Sequence, residues 1–286
     1  MRSSIPSRRE IRTRPSFSGR IAGRLRRITT DGSWIPELDG LRFVAILSVV
    51  LYHIYAQLLV KSGHAVVQQS RYAWLGTAAG NGDRGVRLFF VISGFVLGLG
   101  FARQDFQMGK RVSLRKYFLR RVTRLEPPYV FNLVFCALVA FVYYRQSAGY
   151  MLPHLLASIF YLHNIAYHAP SSINGVTWSL EVEIQFYILA PLISLLFRIR
   201  PSWWRRAVFL ILIALVGWVQ LLVHTAATVA GLTIFFYLQY FLAGMLLTDL
   251  YLTIRPGARI HWAWDLVSAT GWPVVFLVSR ELEPIS

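Results

Sequence analysis

The chain is poor in cysteine and in acidic side chains. Its single cysteine, Cys136, lies inside an apolar stretch, which excludes an intrachain disulfide and favours a packing role. Only 13 of its 286 residues are Asp or Glu, against 30 Lys and Arg, so the net charge is +17. The sequence also lacks a Gly-x-Ser-x-Gly elbow, a His-Glu-x-x-His pair and a phosphate-binding loop. These absences argue against an intramembrane serine protease, a zinc peptidase and an ATP-driven pump, and we expect no metal site.

What the chain does have is apolar residues in long blocks, at 55% of the composition. Blocks of about twenty residues with few charges are typical of helices that cross the hydrocarbon core of a bilayer. Seven occur, at 41–60, 86–101, 129–145, 178–197, 207–223, 230–250 and 264–279. An eighth, 153–167, is short and contains histidines, so it is a short span, a re-entrant segment or an interfacial helix. We therefore predict an all-α polytopic transmembrane bundle of about seven or eight spans.

The basic residues cluster between the apolar blocks. This distribution favours charge held on the cytoplasmic side of a membrane protein over nucleic acid binding. Residues 1–33 carry nine arginines and no apolar periodicity, which predicts a disordered cytoplasmic tail; a transit peptide or a lipid-surface arm are alternatives. Positive-inside counting then places the tail, 103–128, 198–206 and 255–259 on one side, with 153–167 not spanning.

The first apolar block carries two polar side chains on one helical face. Arg42 and His53 are eleven residues apart. They share a stripe with Ile46 and Val49 and lie about 16 Å apart along a helix axis. An imidazole at mid-depth can accept a proton from a hydroxyl, so His53 is a candidate general base; a merely packing histidine is the alternative. Arg42 is either a charge anchor at the membrane boundary or a group that binds an anion or orients Asp39.

A second basic group precedes the third apolar block. It consists of Arg120, Arg121 and Arg124. On a helix, Arg120 or Arg121 lies beside Arg124, and guanidinium groups pair bidentately with phosphate. The group is therefore either a phosphate clamp or a solvated basic segment that sets topology.

Two carboxylates stand at the head of the fourth apolar block. Glu183 shares its helical face with Ser179 and Tyr187, whereas Glu181 lies on another face with Gln185. A carboxylate in a membrane helix is costly unless it is paired or hydrated. Glu183 therefore either locks two helices together or belongs to a functional site.

Small side chains mark the second apolar block. Ser93, Gly94 and Gly98 form a face suited to close helix packing, and Ser93 is interpreted as a packing residue. The remaining histidines outside the short segment, His64, His224 and His261, are interpreted as interface or loop residues.

Four blocks together resemble a known family. They are LDGLRFVAILSVVLYH at 38–53, GVRLFFVISGFVL at 85–97, FLRRVTRLEPPY at 118–129 and TWSLEVEIQFY at 177–187. In their order and spacing they resemble the acyltransferase 3 family of integral-membrane acyltransferases, which includes bacterial O-antigen and exopolysaccharide O-acetylases. Each block alone is weak, and the four together are specific.

The resemblance implies an activity. Such proteins move an acyl group, usually acetyl from acetyl-CoA in the cytoplasm, to a hydroxyl of a carbohydrate or lipid-linked glycan at the outer face of the bacterial inner membrane. It assigns Arg42 and His53 to the active centre, the three arginines to the CoA phosphates, and Glu183 to the family's glutamate. Acetyl-CoA is then a co-substrate rather than a tightly bound cofactor, and the partners are an acyl-CoA, a glycan and the lipid bilayer, not nucleic acid.

The chain also departs from the family. We assign 34–286 to an acyltransferase 3 transmembrane domain, yet members usually have more spans and a Ser-Tyr-x-x-Tyr-Leu-x-His-like block near their C-terminus. The sequence is therefore expected to be C-terminally incomplete, either a fragment or a truncated protein. A transporter or flippase that uses the same charges as a relay, or an inactive fragment, are the alternative functions.

Overall fold

A computed structural model describes residues 35–62, 73–106, 112–223 and 232–253. The predicted tail 1–33 and the predicted span 264–279 lie outside these ranges. Within them every regular element is helical and no strand occurs, which confirms the predicted all-α class. The described residues from Leu41 onward belong to one structural unit, and the packing below concerns that unit.

Six helical stretches are long and apolar enough to cross a membrane. They are α1 (Pro36–Ser62), α3 (Arg84–Phe106), α4 (Leu114–Val142), α7 (Trp178–Ile193, with a 3₁₀ turn at each end), α8 (Ser202–Val223) and α9 (Ile234–Thr253). These six correspond in order to the first six predicted spans. A short helix, α2 (Ala73–Gly80), lies just before α3.

The segment 153–167 forms two short helices, α5 (Ala148–Ile159) and α6 (His163–Tyr167). Twelve helical residues rise only about 18 Å, well short of the roughly 30 Å of a hydrocarbon core. The segment is therefore a connection between α4 and α7 at one end of the bundle, as the charge pattern predicted.

Helix α4 begins well before the third predicted block, 129–145, and includes Pro127 and Pro128. It continues through both prolines for 29 residues, so the arginines and the following apolar block share one helix. Proline removes a backbone donor, but membrane helices tolerate it when neighbouring groups satisfy the freed carbonyls. The hydroxyl of Thr123 also bonds back to the Leu119 carbonyl at 2.8 Å, in the turn before the prolines.

The centre of the bundle is the contact between α3 and α9. A Cβ atom on Gly94 would overlap the backbone of Phe241, and one on Gly244 would overlap the carbonyl of Val91. The predicted small face of the second apolar block is therefore confirmed at this contact, since only glycine lets the two backbones approach so closely. The ring of Phe241 stacks on Phe186 of α7 with centroids 4.0 Å apart, which joins α7 to the pair.

Helix α1 packs against the residues that lead into α3. Ala45 and Ser48 are buried there, and a Cβ atom on Gly85 would overlap both. Tyr55 contacts the position of Gly80. Ala45 thus lies at Gly85 and Tyr55 at Gly80, so higher residue numbers in α1 meet lower numbers in the segment that enters α3. The two stretches therefore run antiparallel.

The basic ends of α3 and α8 meet. The Arg205 guanidinium lies 4.4 Å from the ring centroid of Phe106, at the end of α3. Arg205 and Arg206 donate from Nε to the two oxygens of Asp249 in α9, at 2.6 and 2.7 Å. The basic stretches near residues 103 and 198–206 therefore share one end of the bundle, as predicted. The α4–α7 connection lies at the opposite end, because consecutive spans alternate in direction.

Candidate active site

Glu183 is held by hydroxyl groups from two helices. The hydroxyl of Ser93 in α3 donates to Oε1 of Glu183 at 2.7 Å, and the hydroxyl of Tyr187, one turn along α7, donates to the same oxygen at 2.5 Å. Glu183 is only half-buried. Within the described residues no donor bonds Oε2, so one carboxylate oxygen is available to a substrate or a proton.

Arg121 joins this network through aromatic rings. Its guanidinium lies 5.4 Å from the ring centroid of Tyr187 and 6.0 Å from that of Tyr117. The Tyr117 hydroxyl donates to the Tyr187 carbonyl at 3.1 Å, which connects α4 to α7. A cation over the face of a tyrosine is favourable, and more so when it is partly desolvated, as Arg121 is. The arrangement places a cation beside a carboxylate inside the bundle.

The other two arginines of the predicted clamp are more exposed than Arg121. Arg120 and Arg124 are exposed, and Arg120 donates from Nε to the carbonyl of Lys116 on its own helix at 3.1 Å. The three arginines thus divide between one that faces the bundle and two that face outward. A phosphate-binding role for the three together stays a prediction.

His53 lies on the flank of α1. Its Nδ1 bonds the carbonyl of Val49 at 2.8 Å, and its ring meets Tyr52 edge to face at 5.3 Å between centroids. A carbonyl only accepts, so Nδ1 carries the proton and the neutral ring presents an unprotonated Nε2. The ring is exposed within the described structure. His53 thus has the tautomer that a base at Nε2 needs.

Arg42 and His53 share one face of α1, as predicted. This face is not the one that carries the buried residues Ala45 and Ser48. The stripe lies roughly 90° around α1 from the line of Ala45 and Ser48, by the 100° turn per residue of an α-helix. Arg42 is half-buried there and His53 is not.

The Glu183 network and His53 lie at different depths. Ser93 is eight residues beyond Gly85 in α3. His53 lies on the opposite side of the contact between α1 and Gly85. The Glu183 network and His53 are therefore about 20 Å apart along the helix axes. Arg42 lies on the Ser93 side of that contact. Among the bonds of the described residues, none joins Glu183 to His53, and a common active centre for these residues stays a prediction.

Two residues of this region carry roles that the sequence did not reveal. Ser93, interpreted as a packing residue, donates to Glu183. Glu181 is completely buried and accepts the backbone N–H of Asn164, so it anchors the α4–α7 connection on α7. The periodicity of α7 already separated the faces of the two glutamates, but a sequence cannot show which distant segment each face meets.

Across residues 35–62, 73–106, 112–223 and 232–253, no three His, Cys, Asp or Glu side chains are grouped so that they could hold a metal ion.

Comparison with known proteins decides the family. The model of the acyltransferase 3 family, described as an acyltransferase domain, matches residues 35–279, which include all four sequence blocks. The chain belongs to the acyltransferase 3 family. The Glu183 network, the arginines of α4 and the Arg42–His53 stripe all lie inside the acyltransferase 3 match.

Relatives within this family are O-acetyltransferases by name. The chain is 28% identical over 179 residues to O-acetyltransferase OatA of Staphylococcus aureus (strain NCTC 8325 / PS 47), which covers 59% of this chain and 26% of the relative. It is 26% identical over 175 residues to peptidoglycan O-acetyltransferase OatA of Listeria monocytogenes, covering 57% of this chain and 25% of the relative. The aligned acyltransferase 3 region is thus about a quarter of each relative's length. No solved structure matches the chain.

Proposed function

We infer that this protein is a membrane O-acetyltransferase that moves an acetyl group from acetyl-CoA to a hydroxyl of a glycan. The observation that carries this proposal is the Glu183 carboxylate inside the bundle, bonded by Ser93 and Tyr187, with the Arg121 guanidinium over the Tyr187 ring. Charged groups within membrane spans are expensive and usually functional. The acyltransferase 3 match and the names of the OatA relatives support acyl transfer as the chemistry of this domain.

The acceptor is proposed to be a cell-envelope sugar. The Listeria relative is named as a peptidoglycan O-acetyltransferase, so peptidoglycan glycan strands are the first acceptor to test. Polysaccharides and lipid-linked glycans belong to the same chemical class, since each presents a secondary or primary sugar hydroxyl. The protein then lies in a bacterial cell membrane with its N-terminus in the cytoplasm, an orientation supported by the basic end shared by α3 and α8.

The proposed reaction is a single acyl transfer. The acceptor oxygen attacks the thioester carbonyl carbon, the C–S bond breaks, and the CoA thiolate leaves. Nε2 of His53 accepts the hydroxyl proton, which finally passes to the thiolate, so that atoms and charge balance. Arg42, about 16 Å from His53 along α1, steadies the thioester end of the donor as it approaches from the cytoplasm, and Arg120, Arg121 and Arg124 bind the phosphates of the donor.

Glu183 has two proposed roles that the same site permits. The carboxylate either binds the acceptor through Oε2 or orients His53. Its bonds to Ser93 and Tyr187 leave Oε2 for the first role. Its separation from His53 along α1 and α3 argues against direct orientation of that imidazole.

The test uses the full chain in membranes with radiolabelled acetyl-CoA and peptidoglycan glycan strands. Label transfer to glycan is the expected result, and its loss in His53→Ala with normal membrane insertion supports the base role. His168→Asn is the matched control, because His168 is exposed and has a φ of 54°, a conformation that asparagine tolerates. Solute flux without label transfer would instead establish a transporter, and full turnover in His53→Ala would remove His53 from the mechanism.

A further inference from the structure

The α4–α7 connection contains a cluster of rings outside the site described above. His154 and Tyr150 of α5 lie 4.6 Å apart between centroids, and Tyr167 of α6 lies 4.2 Å from His154 and 4.7 Å from His163. Tyr150 and Tyr167 are exposed, at 50% and 39%, whereas His163 is buried. The cluster thus combines one buried imidazole, His163, with two exposed aromatic rings, Tyr150 and Tyr167.

The hydrogen bonds of the cluster determine where its protons lie. Nδ1 of His163 bonds the carbonyl of Ala169 at 3.1 Å, so this nitrogen carries a proton. Nε2 of a neutral His163 is then an acceptor, and it bonds Nδ1 of His154 at 2.9 Å. Nδ1 of His154 must therefore be the donor. In neutral His154, Nε2 is then the unprotonated acceptor.

The buried side of the cluster, at His163 and Asn164, is held by α7 and by the residues just before α9, not by the connection alone. Asn164, next to His163, donates its backbone N–H to Glu181 at 2.8 Å. Its side-chain amide donates to the carbonyls of Trp178 and Leu232, at 3.0 and 3.1 Å. A base whose partner is itself held by further bonds is the general pattern of a positioned proton acceptor. His163 is therefore a positioning residue for His154.

The position and the hydrogen-bonding state of the cluster limit the chemical class of ligand that it can bind. It lies at the bundle end reached by the C-terminal halves of α1 and α4, opposite the basic end, which is the outer side in the proposed orientation. A neutral acceptor nitrogen suits a hydroxyl donor, whereas an anion would require a protonated ring. Burial lowers the pKa of His163, the neighbouring His154 lowers it further, and the Ala169 carbonyl opposes both, so a doubly charged pair is disfavoured. Exposed aromatic rings beside such an acceptor suit the apolar C–H face of a sugar.

We propose that His154 accepts a hydrogen bond at Nε2 from a hydroxyl of the glycan acceptor, and that Tyr150 and Tyr167 pack against the same sugar. The subsite holds the acceptor at the outer end of the bundle while acyl transfer takes place at the centre proposed above. It rests on the proposed function for the identity of the ligand. It does not depend on which residue is the base.

The test measures binding and turnover separately, with the full chain in nanodiscs. Saturation-transfer NMR with penta-N-acetylchitopentaose reports binding, and acetyl transfer to the same oligosaccharide reports KM and kcat. His154→Asn keeps a donor near Nδ1 and removes Nε2, so we expect oligosaccharide affinity to fall at least tenfold while acetyl-CoA affinity is unchanged. His154→Gln restores an amide near Nε2, and we expect it to recover part of the affinity. The matched control is His168→Asn, with wild-type affinity.

Each outcome decides between the two proposals. Weaker binding by His154→Asn, with a raised acceptor KM and similar kcat, supports the subsite. Equal affinity of His154→Asn and His168→Asn overturns it, as does a wild-type chain that acetylates another acceptor but does not bind the oligosaccharide. Binding that is lost in His154→Asn without any acetyl transfer by the wild type supports the subsite and refutes the transferase. A folding defect is recognised by thermal unfolding, and His163→Gln, which keeps an acceptor for His154, then serves as the second variant.

Discussion

Ser93 and Tyr187 donate their hydroxyl groups to the same oxygen of Glu183, at 2.7 and 2.5 Å. One partner comes from α3 and the other from the glutamate's own helix. The bonds therefore fix the carboxylate and also tie α3 to α7. A structural and a catalytic role for Glu183 both agree with this geometry, and a substitution can separate them.

Glu183→Gln is expected to keep the two hydroxyl bonds, because the amide oxygen accepts as the carboxylate does. If Glu183 acts in transfer through its charge, the variant loses most acetyl transfer while its unfolding temperature stays near that of the wild type. Thermal unfolding and the radiolabel assay measure the two effects on the same preparation. Normal transfer by Glu183→Gln would show that Glu183 has only a structural role, namely to join α3 to α7.

Ser93→Ala provides the complementary measurement for this structural role. The variant removes one donor and leaves Tyr187 in place, so we expect a loss of about 1 kcal/mol of stability. A larger loss of transfer than of stability would indicate that the position of the carboxylate, and not only its presence, matters.

Arg121 and Arg120 form a matched pair on adjacent positions of α4. Arg121→Ala removes a guanidinium that faces Tyr187 and Tyr117, whereas Arg120→Ala removes one that is exposed. We expect acetyl-CoA affinity to fall about tenfold or more in Arg121→Ala combined with Arg124→Ala, since charged hydrogen bonds contribute about 1.5–3 kcal/mol. Isothermal titration measures the affinity. Equal affinity in the double variant and the wild type would count against the clamp, and a stability loss confined to Arg121→Ala would assign that residue a packing role.

The stability of the α4–α7 connection is expected to depend on pH. Burial lowers the pKa of His163 below its ordinary 6.5. Since the folded state holds the proton less tightly than the unfolded state, the contribution of His163 is complete above pH 6.5 and is lost as the pH falls toward its lowered pKa. The unfolding temperature should therefore fall between pH 7.5 and pH 5.5, and it should fall less in His163→Gln. An identical pH profile in both proteins would refute this account.

Gly94→Ala and Gly100→Ala test the contact between α3 and α9. A Cβ atom on Gly94 would overlap the backbone of Phe241, whereas one on Gly100 meets nothing within 4 Å. We expect Gly94→Ala to cost roughly 1–3 kcal/mol or to prevent folding. Gly100→Ala should be neutral or slightly stabilising, because alanine favours a helix more than glycine does. Similar unfolding temperatures for the two variants would show that the helices separate readily.

The sequence predicted the helical class, the six spans found among the described residues and the non-spanning segment, because hydrocarbon imposes length and apolarity on each span directly. It also placed Glu181 and Glu183 on different faces of α7, which follows from helical periodicity alone. The partners of Glu183 could not be predicted, because Ser93 lies 90 positions away and belongs to another helix. The third predicted block began at 129, whereas α4 begins at Leu114 and runs through Pro127 and Pro128, because neighbouring groups in a membrane bundle support the backbone there.

The closeness of α3 and α9 has a consequence for motion. The backbones of α3 and α9 are in direct contact at Gly94 and Gly244 and cannot slide past each other without collision. These two helices therefore keep a fixed relative position. Any opening that lets donor and acceptor approach from opposite faces of the membrane must then come from α1, α4 or α8, whose sides are largely uncovered by the rest of the described bundle.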